Sequence, residues 1–264
     1  MAKTIAISGK GGSGKTTLAA MIIRYLCEQE GTPFCNKSQN GNPHRGAVLA
    51  VDADPNSCLG LMIGVEPEQT IAEIREKTAE KSPTVPGMDR VRSFEYGIQQ
   101  AITEGRGFDL LTMGRPEGPG CYCAANNLLR QFLDKLSGAY GYVVMDNEAG
   151  MEHLSRRTTN NIDLLCIVAE TTALGAVTTR RIFELAEKLP ITVKEIGVIW
   201  NKTDKAKELD GVNILGCVPY DQAVCNASMQ AKTIFDLEAG SSAFLAVKEI
   251  LEQKMKVNPV AMGK

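Results

Sequence analysis

The sequence predicts a single α/β domain, a mostly parallel sheet of about seven strands with helices on both faces, on three observations. A glycine-rich loop near the N-terminus separates a short apolar run, Thr4 to Ser8, from residues at helical spacing, Leu18, Met21, Ile22, Tyr25 and Leu26. Further apolar runs then alternate with helical patterns along the chain. Two of those runs end in acids, Asp52 and Asp146, and the carboxyl edge of a parallel sheet is where α/β proteins hold ligands. The 264 residues are 44% hydrophobic, enough for one large domain with a full core. It is expected over residues 1–256, with 257–264 a flexible tail.

Composition narrows the partners. A net charge of -2 does not suit tight nonspecific DNA binding, so no nucleic acid is expected. No apolar run reaches membrane-spanning length, so no membrane partner is expected either. The first residues already form a strand rather than a leader. The eight cysteines are scattered, which reads as reduced thiols, some of them metal ligands, in a cytoplasmic protein.

The loop runs Gly9, Lys10, Gly11, Gly12, Ser13, Gly14, Lys15, Thr16, Thr17 and fits G-x-x-x-x-G-K-S/T at every fixed position. Strand, loop and helix in that order are a P-loop's context. Backbone N–H groups at the mouth of the helix would cup the β- and γ-phosphates. Lys15 would reach those phosphates, and the Thr16 hydroxyl would hold Mg²⁺. The expected ligand is a nucleoside triphosphate, which makes this a P-loop NTPase domain.

A second lysine, Lys10, follows the first glycine. Here the chain resembles the deviant P-loop ATPases, the class of the nitrogenase iron protein and of the bacterial partition and septum-positioning ATPases. The resemblance implies that Lys10 reaches across a dimer interface to the partner's nucleotide, and that ATP/ADP and Mg²⁺ are the cofactors of a homodimer.

In chain order, residues 33–45 are rich in Asn, Gly and Pro and read as a surface loop insertion in which Cys35 and His44 hold no metal. Ala47 to Val51 is a strand, followed by Asp52, Ala53, Asp54, Pro55 and Asn56. This resembles the first switch of the deviant class, with Asp54 orienting the attacking water and Asp52 supporting the metal shell; plain turn and capping aspartates are the alternative. Glu66 to Lys81 reads as an exposed charged helix and Ser82 to Gly87 as a loop. Phe108 to Met113 is a strand, and Gly118-Pro119-Gly120 turns into Cys121-Tyr122-Cys123. Leu128, Leu129, Phe132, Leu133 and Leu136 then recur at helical spacing.

The thiols of Cys121 and Cys123 fall at a strand's carboxyl end and near a helix N-terminus, where a thiolate, the metal-binding form, is favoured. Two cysteines one residue apart supply half of a tetrahedral soft-metal site, Ni²⁺ or Zn²⁺. No second such pair exists in the chain, and a symmetric dimer would complete the site. Buried or redox thiols are the alternative.

Tyr142 to Asp146 is a buried strand, and Asp146 to Gly150 reads D-x-x-x-G, the second switch: Asp146 for the Mg²⁺ shell, the Gly150 N–H for the γ-phosphate. His153 reads as a local hydrogen-bonding residue. Asp163 to Ala169 is a strand, Leu174 to Leu189 a helix, and Glu195 to Trp200 a strand closing on Asn201-Lys202-Thr203-Asp204. The class implies that Asn201 reads adenine, with Lys202 beside it. The quartet also matches the guanine pattern of GTPases, which leaves the base open. Ile214 to Val218 is a last strand, and Pro219-Tyr220-Asp221 resembles the adenine-side loop. In the final helix, Ser242 to Lys256, Leu245, Ile250 and Leu251 share an apolar side, with acids among the lysines, so it is expected to pack on the domain.

Three stretches together, the P-loop with Lys10, Gly118 to Cys123, and Asp146 to Leu154, resemble one branch of the class. That branch is the nickel-insertion ATPases that mature carbon monoxide dehydrogenase and acetyl-CoA synthase. The resemblance covers residues 3–225 and departs at the 33–45 insertion. It implies an ATP-driven homodimer whose paired Cys121 and Cys123 hold nickel or zinc between subunits, with an apo-enzyme as client. Two other readings stand beside it. An iron–sulfur electron donor would need a cysteine just beyond the second switch, and none lies in Asp146 to Leu154. A DNA-partition ATPase would need a basic patch.

Overall fold

The structure, a computed structural model, describes residues 2–29, 48–80, 96–115, 139–149 and 161–255. The 33–45 and 82–87 loops, Cys121, Cys123, the helix over 128–136, Gly150, His153 and the tail lie outside the described residues.

The elements follow the apolar pattern. Strand β1 (Lys3–Gly9) leads into helix α1 (Lys15–Gln29), then β2 (Val48–Ala53), α2 (Leu59–Ile63), α3 (Ile71–Glu80), β3 (Thr103–Glu104) and β4 (Phe108–Thr112). After these come β5 (Tyr142–Asn147), β6 (Asn161–Ala169), α4 (Ala173–Lys188), β7 (Thr192–Asn201), β8 (Ile214–Val218), α5 (Gln222–Met229), a 3₁₀ turn (Ile234–Asp236) and α6 (Ser242–Met255). The eight strands order as β3-β4-β2-β5-β1-β6-β7-β8, one more than the sequence predicts. The addition is β3, a two-residue antiparallel pairing on β4, too short to carry a period in sequence. Every other pairing is parallel, and β1, which feeds the P-loop, lies between β5 and β6.

Alternation along the strands sends side chains to two helical layers. Ile5, Ile7, Ala50, Leu110 and Val144 join the core under α1 and α6. Ala6, Val51, Leu111 and Met145 join the opposite core, with Ile71 and Ile74 of α3 and Ile182 of α4. Helix α3 is therefore not the exposed helix expected from its charge: Ile71 and Ile74 are buried. It also starts later than Glu66, at a Thr70 whose hydroxyl accepts from the Glu73 N–H while Glu73 accepts from the Thr70 N–H, a capping box. In α6 the buried face is Phe244, Val247, Ile250 and Leu251, whereas Leu245 is 48% exposed; the sequence put Leu245 on the packed side. Packing of this helix on the domain is as expected. No described helix is long and apolar enough to cross a membrane.

Arg24 ties the P-loop helix to the C-terminal layer. It is buried in α1, its Nη1 donates to the carbonyls of Ile234 (2.9 Å) and Leu237 (2.7 Å), its Nε donates to Glu28 at 2.8 Å, and its guanidinium lies 4.1 Å over the Phe244 ring. Removing it strands two inward-facing carbonyls. Arg24→Met should lower unfolding stability by about 2–4 kcal/mol, measured as a drop in the urea midpoint; a change below about 0.5 kcal/mol would refute this anchoring role.

Candidate nucleotide site

The loop after β1 is shaped by one acceptor. The Lys10 carbonyl receives the Ser13 N–H (3.2 Å) and Ser13 hydroxyl (2.8 Å), and the Lys15 ammonium at 3.4 Å. Lys15 is buried, whereas Lys10, Gly11 and Gly12 are exposed. Two glycines are required by contact and conformation. A Cβ on Gly9 would stand 2.2 Å from the Val168 carbonyl oxygen, and Gly14, at φ 95°, leaves only 2.3 Å between its missing Cβ and Asn201 Nδ2.

Asn201 and Lys202 brace this loop from β7. The Asn201 amide donates to the Ser13 carbonyl at 2.8 Å and its oxygen accepts the Lys202 N–H. Lys202, at φ 60°, places its ammonium on Glu170 (2.7 Å) and on the Gly12 carbonyl (3.4 Å). Glu170 carries no signal in the chain, because it follows an ordinary apolar strand. Beside these residues opens a cleft of about 290 Å³ lined by Gly14, Thr17, Met21, Asn201, Pro219 and Tyr220, close to the size of a small-ligand pocket. Asp221 also lines it, but its carboxylate is already occupied. It caps α5 through the Ala223 N–H and accepts from Ser241, Ser242 and the Ala243 N–H. Burial opposes its ionisation, yet those donors hold its pKa down to about 2.

The acids sit where register puts them. Asp146 pairs with Ile7 on one side and with Asp52 on the other, so both carboxylates lie at the carboxyl edge on adjacent strands. Asp52 accepts the Leu59 N–H at 2.9 Å and the Asp54 N–H at 3.2 Å. Burial raises its pKa to about 7; the Asp146 and Asp54 charges push the same way and the two N–H groups oppose. Burial likewise raises Asp146 to about 6, against the Thr16 hydroxyl and the Lys15 charge. Neither Asp146 oxygen has a hydrogen bond of good geometry. Asp54 is half-buried, and its Oδ1 accepts the Asn56 N–H and side-chain amide, both at 2.9 Å. It sits in a turn where Ser57 adopts φ 49°.

This donor set fits Mg²⁺. Two buried carboxylates, one unpartnered, beside a threonine hydroxyl are hard oxygen ligands for a cation that keeps several waters. Lys15 and the loop amides offer the complementary surface to phosphate. The structure thus brings Gly9 to Thr17, Asp52, Asp54, Asp146, Asn201 and Lys202 to one edge. Among the described residues no cluster of three or more His, Cys, Asp or Glu could hold a further metal.

The two raised pKa values set a pH dependence. The folded, ligand-free chain keeps protons on Asp52 and Asp146 that the unfolded chain releases near pH 4, so its stability falls as pH rises from about 4 to 7. Asp146→Asn should remove part of that slope, on the order of 2 kcal/mol, seen as a urea-midpoint gain over wild type that is larger at pH 8 than at pH 5. An equal gain at both pH values would refute it.

No protein-family model matches the chain. An ATP-binding protein of Methanocaldococcus jannaschii, itself uncharacterised, is 38% identical over 261 residues, 94% of this chain and 97% of the relative. The carbon monoxide dehydrogenase accessory protein CooC of Rhodospirillum rubrum is 31% identical over 255 residues, covering 88% of this chain and 89% of that protein. Among solved structures, a ParA family ATPase from Chlorobium tepidum superposes with a TM-score of 0.68 at 16% identity, covering 95% of this chain and 98% of that one. The septum site-determining protein MinD of Pyrococcus horikoshii, complexed with Mg-ADP, gives 0.66 at 19% identity with 97% of both chains covered. Those two likenesses establish the fold, and the two relatives in sequence establish descent: the chain belongs to the family of P-loop ATPases that includes the accessory protein CooC.

Proposed function

We propose that this ATPase is a homodimeric metallochaperone that couples ATP binding and hydrolysis to delivery of nickel into the metal cluster of carbon monoxide dehydrogenase or acetyl-CoA synthase. The observation that carries the reading is the 31% identity to a carbon monoxide dehydrogenase accessory protein over 88% of the chain. The Cys121-Tyr122-Cys123 pair supports it, since two chains together would offer four thiolates to a soft divalent cargo.

The roles divide by position. The loop amides of Gly9 to Thr17 and the Lys15 ammonium bind the β- and γ-phosphates, and Asp54, held by Asn56, orients the attacking water. Thr16, Asp52 and Asp146 hold Mg²⁺, which neutralises charge on the phosphates. Lys10, exposed in the loop, reaches the partner's nucleotide, and the Gly150 N–H senses the γ-phosphate. Asn201, Lys202, Pro219 and Asp221 form the base side. ATP and cargo favour the same dimer, and loss of the γ-phosphate loosens it.

The decisive experiment is reconstitution. Nickel-free carbon monoxide dehydrogenase, and separately acetyl-CoA synthase, should be activated by the nickel-loaded protein with ATP, and not by its Lys15→Ala variant. Activation of neither enzyme would overturn the client assignment.

The two lysines should separate in function. Lys15→Ala should abolish ATP binding, while Lys10→Ala should bind within about tenfold of wild type yet lose hydrolysis and nucleotide-driven dimerisation. Light scattering that shows Lys10→Ala dimerising with ATP would refute the reach across the dimer.

The cargo site has its own stoichiometry. Elemental analysis should find one nickel or zinc per two chains, lost when Cys121 or Cys123 becomes Ser, with ATP binding retained. One metal per chain would sink the shared site.

A further inference from the structure

Strand register sets a third oxygen-bearing side chain beside the two carboxylates. Thr112, the last residue of β4, pairs with Asp52 just as Asp52 pairs with Asp146, so the row across β4, β2 and β5 reads Thr112, Asp52, Asp146. All three point to one face. Phe108 and Leu110 of β4, Val48 and Ala50 of β2, and Val144 of β5 alternate with them in register and enter the core under α1, the helix whose N-terminus carries Lys15 and Thr16. Paired strands stand roughly 4.8 Å apart, within reach of a threonine hydroxyl and a neighbouring carboxylate.

Thr112 is 1% exposed, and its hydroxyl has no hydrogen-bond partner. A buried hydroxyl without a partner costs free energy, and a β-branched apolar residue would fill the same strand position without that cost. The Asp52 carboxylate meanwhile is gripped from one direction only: the Leu59 and Asp54 N–H groups both come from the segment that follows β2. Asp146 faces it from β5, and from the β4 side, where the Met113 N–H bonds the Asp52 carbonyl, no described residue donates to the carboxylate. Thr112 stands on that side.

We infer that Thr112 is a positioning residue for the cation site, its hydroxyl donating to the Asp52 carboxylate once Mg²⁺ and nucleotide are bound. The inference rests on the reading of Asp52 and Asp146 as the acids that hold Mg²⁺. The donor fixes the rotamer of Asp52 against the pull of the cation, so that Asp52 presents its free lone pairs toward Asp146 and the Thr16 hydroxyl. Hydrogen bonds to a metal-site carboxylate from just behind it typically carry a 10–100-fold effect on metal affinity.

The test uses the full chain. The single tryptophan, Trp200, precedes Asn201, which contacts the P-loop, so its fluorescence reports nucleotide binding. Mg²⁺ is titrated into the protein with saturating ADP, and the half-saturating concentration is read by Trp200 fluorescence and again by thermal shift. Thr112→Val, which keeps shape and removes the hydroxyl, should raise that concentration about tenfold or more. Thr112→Ser should restore it, and nucleotide affinity without Mg²⁺ should be unchanged. Should the valine variant not fold, Thr112→Ala replaces it in the same comparison. A wild-type Mg²⁺ requirement in Thr112→Val, with Asp146→Asn impaired, overturns the role of Thr112 alone. A wild-type requirement in Asp146→Asn overturns the carboxylate reading beneath it. A serine variant as defective as valine also overturns the proposal, because packing rather than the hydroxyl would then be at work.

Discussion

Two carboxylates buried side by side on adjacent strands constrain the whole phosphate edge. Asp52 and Asp146 are each within 1% of complete burial, and the Asp146 oxygens lack bonded donors. In an apolar interior such a pair resists ionisation, and the protein answers it only in part: two N–H groups on Asp52, one nearby lysine, one hydroxyl. The remaining demand is for positive charge. A divalent cation at Asp146 would meet it, as the proposed role of that acid requires. The ligand-free fold gives up stability at this pair, which a bound cation would return.

Around that pair the scaffold is rigid where it touches phosphate and looser where it would switch. The P-loop is held by Lys10 through its carbonyl, by Asn201 from β7 and by Lys202, itself pinned to Glu170. Strand β7 and the P-loop are thus joined through two consecutive residues. Asp54, by contrast, sits in a turn whose bonds are local, to Asn56 and Ser57. Such a turn would suit the water-orienting role proposed for Asp54 better than the middle of a strand.

Much of this was legible in the chain, for reasons that can be named. Nine consecutive residues from Gly9 to Thr17 carry their own chemistry, and the apolar runs ending in Asp52 and Asp146 could only be strands of a parallel sheet. The adjacency of those two acids was not legible, because it depends on β2 and β5 pairing across some ninety intervening residues. The short helices α2 and α5 and the two-residue β3 have too few turns or alternations to print a period. Asp221 was legible as a loop acid but not as the clasp between α5 and α6, since Ser241 and Ser242 reach it only through the tertiary fold. Leu245 misled because one apolar residue in a helix of mixed pattern does not say which side faces the core. Thr112 had little signal, since Asp109 already interrupts the apolar run from Phe108 to Met113.

The place of β1 in the sheet has a consequence for how the protein comes into being. Its neighbours are β5 and β6, so Gly9 meets Val168 and Ile7 meets Asp146 only after nearly two thirds of the chain exists. A ribosome releases the phosphate-binding motif first and the strands that shape it much later. Contacts of such long span form slowly, and the nascent segment, glycine-rich at residues 9 to 14, can hold no nucleotide in a fixed geometry before then. ATP can therefore join only after β6, nearly two thirds along the chain, and then β7, whose Asn201 braces the loop, have docked.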